Sequence, residues 1–429
     1  MRRLCACAMV AALLAAAVPA LANMNFIPNT YGLSARGMGM GNPLTATTSD
    51  VAMTFFNPAS LGMLQNSQAA LGYTYAQPSF QSKRTGKTYP TFDRTNRLLV
   101  ADLLISMRHV FPSASRGLSL GVSLTLDDNG ATFINFADHR SSRGQFLRYG
   151  GSSATIIAGL GVEVLPILTL GAGAIVQMEA KVHMALSTDL EGRSNNESFD
   201  QIARTVISPT LGILLPLDVL SIGLTWRGES QGQIGPIKAD TLAQVGGSDL
   251  ATLPLEVSFR DSFIPMQLAG GFHYNVRDNL LVAFDLTWMQ WSRFVDFARK
   301  QDDARDDIKF DFDDTVVPRA GIEYTVKERH AIRAGYSYEA TPVKKIGTFR
   351  PYKNLNVVGF VILDNDKHVA SLGYGYTLVA PGKIKYPMHF DLGLQGQFLA
   401  PRTARTSDGV RYTTAGTLLG GSFNWTFGF

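Results

Sequence analysis

The longest regular pattern in the sequence is a two-residue alternation over residues 167–186, ILTLGAGAIVQMEAKVHMAL. Even positions from Leu168 to Met184 are apolar, whereas odd positions such as Thr169, Gln177 and Glu179 are mostly polar or glycine. Successive side chains of a strand point to opposite faces, and strands of soluble proteins usually have about five or six residues. Alternation of this length indicates a tilted strand between lipid and a polar lumen.

The same alternation recurs along the chain and predicts an all-β fold, a transmembrane antiparallel β-barrel of about 14 strands. Short connections alternate with long polar ones, which is the asymmetry of outer-membrane barrels. The predicted strands lie near residues 68–79, 96–106, 116–127, 154–165, 167–186, 204–215, 218–229, 263–275, 280–294, 316–326, 330–341, 367–378, 387–400 and 414–429.

One stretch, residues 206–226, is long and apolar enough to suggest a membrane-spanning helix instead. It contains Pro209, Pro216 and Asp218. Proline inside a helix removes a hydrogen bond and causes a steric clash. Two strands joined by a tight turn therefore explain the stretch better.

The first 22 residues have the features of a secretory signal peptide. Arg2 and Arg3 precede a short apolar run, and small residues end at Ala22 before Asn23. The two cysteines of the chain, Cys5 and Cys7, lie within this segment, so the exported protein would have none. The formal charge of +4 shows no nucleic-acid signature. We expect export to the outer membrane of a Gram-negative-type bacterium.

The chain ends in GSFNWTFGF, whose alternate residues are all aromatic. We expect Phe423, Trp425, Phe427 and Phe429 to face lipid on the last strand. We also expect them to form the signal that the barrel-assembly machinery recognises.

Residues 23–66 do not alternate and are rich in glycine. Their apolar residues and the turn at Asn57-Pro58 favour a compact hatch, or plug, over a disordered leader. The predicted organisation is a signal peptide over 1–22, a hatch over 23–66 and a barrel over 67–429.

In this segment, GLSARGMGMGN and SDVAMTFFNPASLG resemble the hatch of the FadL family of outer-membrane long-chain fatty acid transporters. The resemblance includes the motif Asn57, Pro58 and Ala59, and it continues in residues 285–294 and 319–343. It implies a fourteen-strand barrel with an N-terminal plug. It also implies passive, TonB-independent uptake of long-chain fatty acids or other hydrophobic molecules, which leave through a lateral opening in the wall.

A fatty acid needs an apolar groove for its tail and a cation or hydrogen-bond donors for its carboxylate. Phe26 is a candidate for insertion into the lumen. Lys181, Arg319 and Arg333 are predicted inward cations and candidate ligand contacts. The alternative is that they pair with Glu179, Glu323 and Glu339 across the strands.

No enzyme, cofactor or metal site is predicted. GLSLG at 117–121 matches a serine-nucleophile motif, but Ser119 lies within a predicted strand and lacks the strand-to-helix turn that the motif requires. His183 and His273 have no metal-ligand spacing. The acidic run at 299–314 is interpreted as a solvated loop, with a cation site as the alternative. Lys83, Arg84 and Lys87 are candidate contacts for lipopolysaccharide, with plain solubility an equal alternative.

Three other functions stay open at this stage: a general porin, an outer-membrane lipase, and a structural or adhesive barrel. The plug-like segment disfavours the porin. The expected partners are a hydrophobic small molecule, outer-membrane lipids with lipopolysaccharide, and the assembly machinery. We expect a monomer that binds no nucleic acid.

Overall fold

Backbone pairing closes the sheet into a ring, because the first long strand pairs with the last one from Gln68–Gly428 to Arg84–Tyr412. The computed structural model describes residues 27–84, 87–90, 95–108, 117–129, 147–178, 180–186, 197–203, 205–245, 248–293, 295–297, 307–309, 312–342, 365–379, 386–405 and 411–429. None of the helices in these ranges is long and apolar enough to cross a bilayer.

The elements follow in chain order. The helices are α1 (Ile27–Tyr31), α2 (Ala35–Gly39) and α3 (Met53–Phe56), with 3₁₀ turns at Pro58–Met63 and Trp291–Arg293. The strands are β1 (Gln68–Arg84), β2 (Lys87–Pro90), β3 (Asn96–Ser106), β4 (Ser119–Asn129), β5 (Leu147–Leu165), β6 (Leu168–Gln177), β7 (Ala180–Leu186), β8 (Glu197–Ala203), β9 (Val206–Pro216), β10 (Leu220–Arg227), β11 (Ser230–Val245), β12 (Ser248–Ile264), β13 (Gln267–Arg277), β14 (Leu280–Met289), β15 (Val295–Phe297), β16 (Asp307–Lys309), β17 (Thr315–Val326), β18 (His330–Glu339), β19 (Lys367–Leu378), β20 (Met388–Arg405) and β21 (Arg411–Gly428).

Fourteen antiparallel strands make up the wall, as predicted. They are β1, β3, β4, β5, β6 with β7, β8 with β9, β10, β13, β14 and β17 to β21. The stretch 206–226 forms two strands, β9 and β10, so the prediction against a helix is confirmed. We call the end of the barrel with short connections the turn side and the opposite end the loop side.

The alternation of outward apolar and inward polar residues is confirmed on β4 and β21. On β4, Leu120 and Val122 are exposed on the outer face, whereas Ser119 and Ser123 are buried on the inner face. On β21, Phe423 and Phe429 are exposed and their neighbours Ser422 and Asn424 are buried. Trp425 stacks on Phe390 of β20 at a centroid distance of 6.5 Å.

The role of the terminal aromatics as an assembly signal stays a prediction. The signal peptide and Phe26 lie outside the described residues.

Three strand predictions need correction. The single strand predicted over 167–186 is interrupted between β6 and β7, because one extra residue lies between Gln177 and Val182 relative to their partners Thr155 and Gly151 on β5. An extra residue of this kind is a β-bulge, which breaks the ladder locally.

The other two corrections concern where strands end. Strand β14 ends at Met289, before the predicted end at residue 294. Alternation from Asp285 predicts that Arg293 faces inward, and this is wrong: Arg293 lies on a 3₁₀ turn, its side chain is 63% exposed, and it pairs with Glu229 at 3.4 Å. Two connections predicted as loops, 80–95 and 230–262, contain paired strands. Beyond the bilayer a hairpin has no lipid face, so pairing continues there without the apolar alternation that reveals a strand.

Candidate functional site

The N-terminal segment, residues 27–66, lies inside the ring of strands. Helix α2 contacts β18, β19, β20 and β21, α3 contacts β4 and β5, and the 3₁₀ turn Pro58–Met63 contacts β4, β5, β6 and β9. Between them, Thr45 bonds to Asp285 of β14 and Pro43 lies next to His273 of β13. Because these strands are spread around the whole barrel, the segment occupies its interior.

The segment approaches the wall at backbone level, through strand glycines that face it. A Cβ on Gly335 would lie 2.0 Å from the carbonyl carbon of Met40, and one on Gly171 would lie 2.1 Å from the amide nitrogen of Ala59. No side chain fits at such distances. We name these strand glycines the glycine belt: Gly161, Gly171, Gly212, Gly223, Gly321, Gly335, Gly373 and Gly393.

Asn57 joins two parts of the segment to the wall. Its side-chain nitrogen donates to the Thr45 carbonyl at 2.8 Å and to the Ile213 carbonyl of β9 at 3.0 Å. Its side-chain oxygen accepts from the amide of Ala59 at 3.0 Å, which caps the 3₁₀ turn that Pro58 begins. The predicted bend at Asn57-Pro58 is confirmed, and the amide of Asn57, fully buried, makes three hydrogen bonds.

A group of five charged residues, which we name the charge cluster, ties the segment to the wall: Arg36, Asp50, Glu323, Arg333 and Asp391. Arg36 of α2 binds both oxygens of Glu323, at 2.8 Å and 3.1 Å, and lies 3.4 Å from Asp50. Arg333 bonds to the same Glu323 at 2.5 Å and to Asp391 at 2.6 Å. The pairing of Arg333 with Glu323 is the alternative that the sequence left open.

Burial and the neighbouring carboxylates shift the pKa of Arg36 in opposite directions. Desolvation lowers the pKa of Arg36, but Coulomb attraction and hydrogen bonding to Glu323, with a further contribution from Asp50, raise it above its ordinary value. The guanidinium therefore stays charged, and the fork-like contact with Glu323 is a charge-assisted one.

Polar side chains form a continuous stripe on the inner faces of β10, β13, β14 and β17, in four successive inward rows. We name this stripe the polar column; from the turn side to the loop side its members are Ser221, His273, Asp285, Arg319, Thr225, Thr287, Arg227 and Gln267. At its turn-side end, the Nε2 of His273 donates to the Pro43 carbonyl at 2.7 Å. At its loop-side end, Arg227 bonds to Gln267 at 2.5 Å and to the Phe55 carbonyl at 2.7 Å.

The opposite part of the inner wall carries a cluster of apolar side chains. We name it the apolar face: Ala76, Leu98, Val100, Ile157, Ile175 and Leu418, on β1, β3, β5, β6 and β21. These residues form one cluster with segment residues, among them Tyr31, Leu33, Met38 and Phe55. The N-terminal segment thus packs on apolar side chains on one side of the barrel and faces a polar stripe on the other.

Of the four predicted ligand residues, the structure describes the side chains of Arg319 and Arg333, and it places these two apart. Phe26 is outside the described residues, and Lys181 pairs with Ile202 through the backbone of β7, with its side chain not described. Arg319 donates to Thr287 at 2.8 Å in the polar column, whereas Arg333 belongs to the charge cluster. The register puts these two arginines four residues apart along the sheet, which is about 13 Å.

Sequence reasoning missed Arg36, Asp50 and Arg227 as site residues. Gly223, Thr225 and Arg227 are two residues apart on β10 and therefore share its inner face. The inward direction of Arg227 could thus have been predicted from the sequence. Arg36 and Asp50 lie in a segment without periodicity, where the sequence holds no signal of direction.

Among the described residues, no group of three or more His, Cys, Asp or Glu is placed to hold a metal ion. Most of the acidic run at 299–314 lies outside these residues, so the question of a cation site there is untested. The side chains of His183 and Lys87 are likewise outside the described part.

A closed fourteen-strand barrel with apolar residues on its outer face, and with its interior occupied by an N-terminal segment, defines an outer-membrane protein. The chain matches the sequence model of the family described as "Outer membrane protein transport protein (OMPP1/FadL/TodX)" over residues 12–427. It therefore belongs to this family of outer-membrane transport proteins, which are channels rather than enzymes.

Individual relatives agree with this assignment. The chain is 25% identical to Alkane uptake protein A of Marinobacter nauticus, covering 94% of this chain and 92% of that protein. A Pseudomonas aeruginosa FadL homologue has a similar structure, with a TM-score of 0.65, 18% identity and coverage of 96% and 98%. The Pseudomonas putida toluene transporter TodX gives a TM-score of 0.58 at 16% identity, with coverage of 93% and 99%. The two structures share the fold with this chain.

The Asn57 contacts generate a prediction. Asn57→Ala removes the side-chain donor to the Thr45 and Ile213 carbonyls. The Ile213 carbonyl lies in a paired strand, so the cost falls mainly on the Thr45 carbonyl, and an unsatisfied buried group costs about 1–3 kcal/mol. Because the wall ladder does not include Asn57, we expect a folded, heat-modifiable barrel whose N-terminal segment is cleaved by trypsin at Arg36 at least about five times faster than in the wild type.

Gln65→Ala is the matched control, since Gln65 is an exposed amide in the same segment that bonds to Met63 at 3.2 Å. Equal cleavage rates in Asn57→Ala and Gln65→Ala would contradict the role assigned to Asn57.

Proposed function

We propose that this protein takes up hydrophobic small molecules across the outer membrane, without an energy-coupling partner such as TonB. The apolar face is the observation that carries this proposal. A general porin has a polar, water-filled lumen, whereas here apolar side chains of five strands form one cluster with the N-terminal segment. Apolar molecules gain free energy on entering such a surface in proportion to the area they bury.

The names of the relatives support the same class of cargo. One is an alkane uptake protein, one a FadL homologue and one a toluene transporter. Long-chain fatty acids, alkanes and monoaromatic hydrocarbons are therefore the candidate cargoes, and they differ in whether they carry a carboxylate.

The cations best placed for a carboxylate are Arg227 and Arg319, on the loop side of the charge cluster. Arg227 is 5% exposed, lies 4.0 Å over the ring of Phe55 and makes no ion pair with another described residue. Arg333 holds two carboxylates of the protein already, so a cargo acid would have to displace one of them. Phe26 and Lys181 stay candidates from the sequence alone.

Two alternative functions receive less support. A lipase would need Ser119 at a nucleophile elbow, but Ser119 begins β4, is fully buried and is followed by strand. A structural or adhesive barrel would not need an apolar face in its interior. We further propose that the protein acts as a monomer, contacts lipopolysaccharide at its long loops and is inserted by the barrel-assembly machinery.

The proposal is tested by loading the purified protein with equimolar hexadecane, toluene and oleate and measuring what it retains by native mass spectrometry, with uptake by proteoliposomes in parallel. We expect retention and protein-dependent uptake of at least one of the three. Val100→Asn, which places an amide in the apolar face, should reduce that uptake several-fold. Rapid liposome swelling in small sugars without hydrophobic uptake would establish the porin instead, and release of fatty acid from phospholipid would establish the lipase.

We propose that cargo leaves sideways through the wall between β9 and β11. The ladder between β9 and β10 ends at the pair Thr210–Arg227, followed by one bond from the Gly228 amide to the Pro209 carbonyl at 2.8 Å. Proline has no N–H to return the bond, and the Gly228 carbonyl accepts from the Ser208 hydroxyl at 2.6 Å instead.

Beyond this point, in the described part of the chain, β11 pairs only with β12 in a separate two-stranded sheet. Ile207, on the outer face of β9 just past Pro209, is 62% exposed. The part of β9 that does not pair with the following strand therefore begins within the apolar, lipid-facing band of the wall. Arg227 and Phe55 lie directly inside it. A gap in the ladder here would connect the interior with the bilayer.

Restoring the missing donor tests this exit. Pro209→Val supplies an N–H for the Gly228 carbonyl and should extend the ladder, so we expect uptake to fall several-fold with unchanged barrel stability. Pro318→Val on β17 is the control, because the pairing of β17 with β18 is also interrupted at that proline but the chains rejoin at the bond from Asp313 to the Pro342 carbonyl, 2.8 Å. Unchanged uptake in Pro209→Val would contradict an exit at this position.

A further inference from the structure

Asp102 places a carboxylate in the interior of the membrane-spanning wall. It lies on the inner face of β3 between the buried apolar residues Val100 and Leu104, and it is only 4% exposed. Neither oxygen of its carboxylate has a hydrogen-bond partner of good geometry among the described residues. Ionisable residues within a membrane are rare and usually belong to functional sites. The Asp102 carboxylate therefore calls for a partner beyond the side chains that surround it.

The electrostatic surroundings of Asp102 are negative. The charged residue that acts on it is Asp50 of the N-terminal segment, which has the same sign. Asp50 has partners of its own, since it lies 3.4 Å from Arg36 and accepts from the amide of Ala52 at 2.8 Å. Among the described residues, no cation forms an ion pair with Asp102. A buried charge is normally paired with an opposite charge or bound to a metal ion.

Three hydroxyl groups lie next to this carboxylate, in a line along β4. Ser123 is the direct partner of Asp102 in the ladder between β3 and β4, and Ser119 lies two inward positions further along β4. Gly121 lies between them, and a Cβ on Gly121 would be 2.3 Å from the hydroxyl oxygen of Thr54 on α3. The Thr54 hydroxyl thus takes the place of the side chain that Gly121 lacks. We name Ser119, Thr54 and Ser123 the hydroxyl line.

The hydroxyl line has unused hydrogen-bonding capacity. All three hydroxyls are buried, and none has a hydrogen-bond partner of good geometry within the described part of the chain. The wall residues beside Asp102 are small, because Ala70 is its ladder partner on β1 and Gly121 lies diagonally across on β4. Diagonal neighbours in a ladder are about 7 Å apart, so the Thr54 hydroxyl and the Asp102 carboxylate can share one ion between them. Oxygen ligands are those that hard cations prefer.

We propose that Asp102, Ser123 and Thr54 bind a monovalent alkali cation, and that this ion joins the wall to helix α3 of the N-terminal segment. One carboxylate with neutral hydroxyls carries a single negative charge, so a monovalent ion neutralises the site. A divalent ion such as Ca²⁺ takes six to eight oxygen ligands, commonly with several carboxylates. The nearby carboxylate of Asp50 adds to the attraction for a cation.

The ligands come from both sides of the contact between the segment and the wall. Asp102 and Ser123 belong to β3 and β4, whereas Thr54 belongs to α3. The complete set of ligands therefore exists only while α3 lies against these strands. An ion that binds only this docked arrangement stabilises it by mass action.

Limited digestion of the full-length protein by trypsin at Arg36 tests the site, with NaCl, KCl and N-methylglucamine chloride compared at equal ionic strength and pH. Because the ion binds the docked segment, cleavage should slow by a factor of 1 + [ion]/Kd, which is about tenfold at a concentration ten times the Kd. Slower cleavage in NaCl, in KCl or in both supports the site. Binding of radioactive Na⁺, displaced by an excess of the unlabelled preferred salt, measures occupancy directly.

Asp102→Asn removes the charge and keeps the shape of the side chain, so we expect equal cleavage rates in the three salts and loss of the bound cation. Thr54→Val removes the ligand that the segment supplies. It should reduce the salt effect several-fold, and it serves as the second variant if Asp102→Asn assembles poorly.

Asp285→Asn is the matched control. Asp285 is also a buried carboxylate that faces the segment, but the amide and the hydroxyl of Thr45 already donate to it at 2.8 Å and 2.7 Å. We expect faster cleavage of this variant in every salt, with the ratio between alkali salt and N-methylglucamine chloride as in the wild type.

Equal cleavage of the wild type in all three salts would overturn the proposal and would favour a proton as the partner of Asp102. An unchanged salt effect in Asp102→Asn, or its loss in Asp285→Asn, would overturn it as well. Because no cargo is present, these outcomes are independent of whether the protein transports hydrophobic molecules.

Discussion

The closed ladder of backbone hydrogen bonds is the constraint on which the rest of the structure depends. A strand edge exposed to lipid leaves polar backbone groups without partners, and the seventeen register pairs between β1 and β21 remove that edge. Since the wall satisfies its own backbone, we expect the barrel to stay closed without the N-terminal segment. The interior is therefore free to be specialised for transport.

The N-terminal segment fits inside the barrel mainly because its backbone lies close to the backbone of the wall strands. At Gly335 and Gly171 the segment lies where a methyl group would clash with its main-chain atoms. The glycine belt therefore contacts the backbone of the segment directly, without interlocking side chains. Specific attachment comes from hydrogen bonds spread along the segment, among them Asn57 to the Ile213 carbonyl, Thr45 to Asp285, and Arg36 to Glu323. Apolar packing on the wall adds to these bonds.

The sequence predicts the strands of the wall well because the face to which a strand residue points depends only on whether its position is odd or even. Counting in twos along each strand predicts that Leu120 and Phe423 face outward and that Ser119 and Asp285 face inward, and the structure agrees. This rule gives the wrong face where a bulge or a turn interrupts the strand. The extra residue after Gln177 shifts the count, and Arg293 lies on a 3₁₀ turn where alternate residues no longer share a face.

The interior is less predictable because its contacts join distant parts of the chain. Arg36 and Glu323 are 287 positions apart, and Ala35 bonds to Asn424 across 389 positions. No periodicity links such residues. The family resemblance located the Asn57-Pro58-Ala59 motif, but only the structure shows that Asn57 bonds to the Thr45 carbonyl and to the wall. It also shows that Arg333 serves the charge cluster, and that apolar and polar surfaces lie on opposite sides of the lumen.

The central claim is that the N-terminal segment closes a barrel that stands without it. Deleting residues 25–52 tests it most directly, because this removes α1, α2, Arg36 and Thr45 and keeps the Asn57 turn that leads into β1. Heat-modifiable migration on gels measures the wall, and liposome swelling in small polar solutes measures closure. The account predicts a folded barrel with markedly increased solute flux. A deletion variant that fails to form a barrel, or one that assembles and is as tight as the full-length protein, would contradict it.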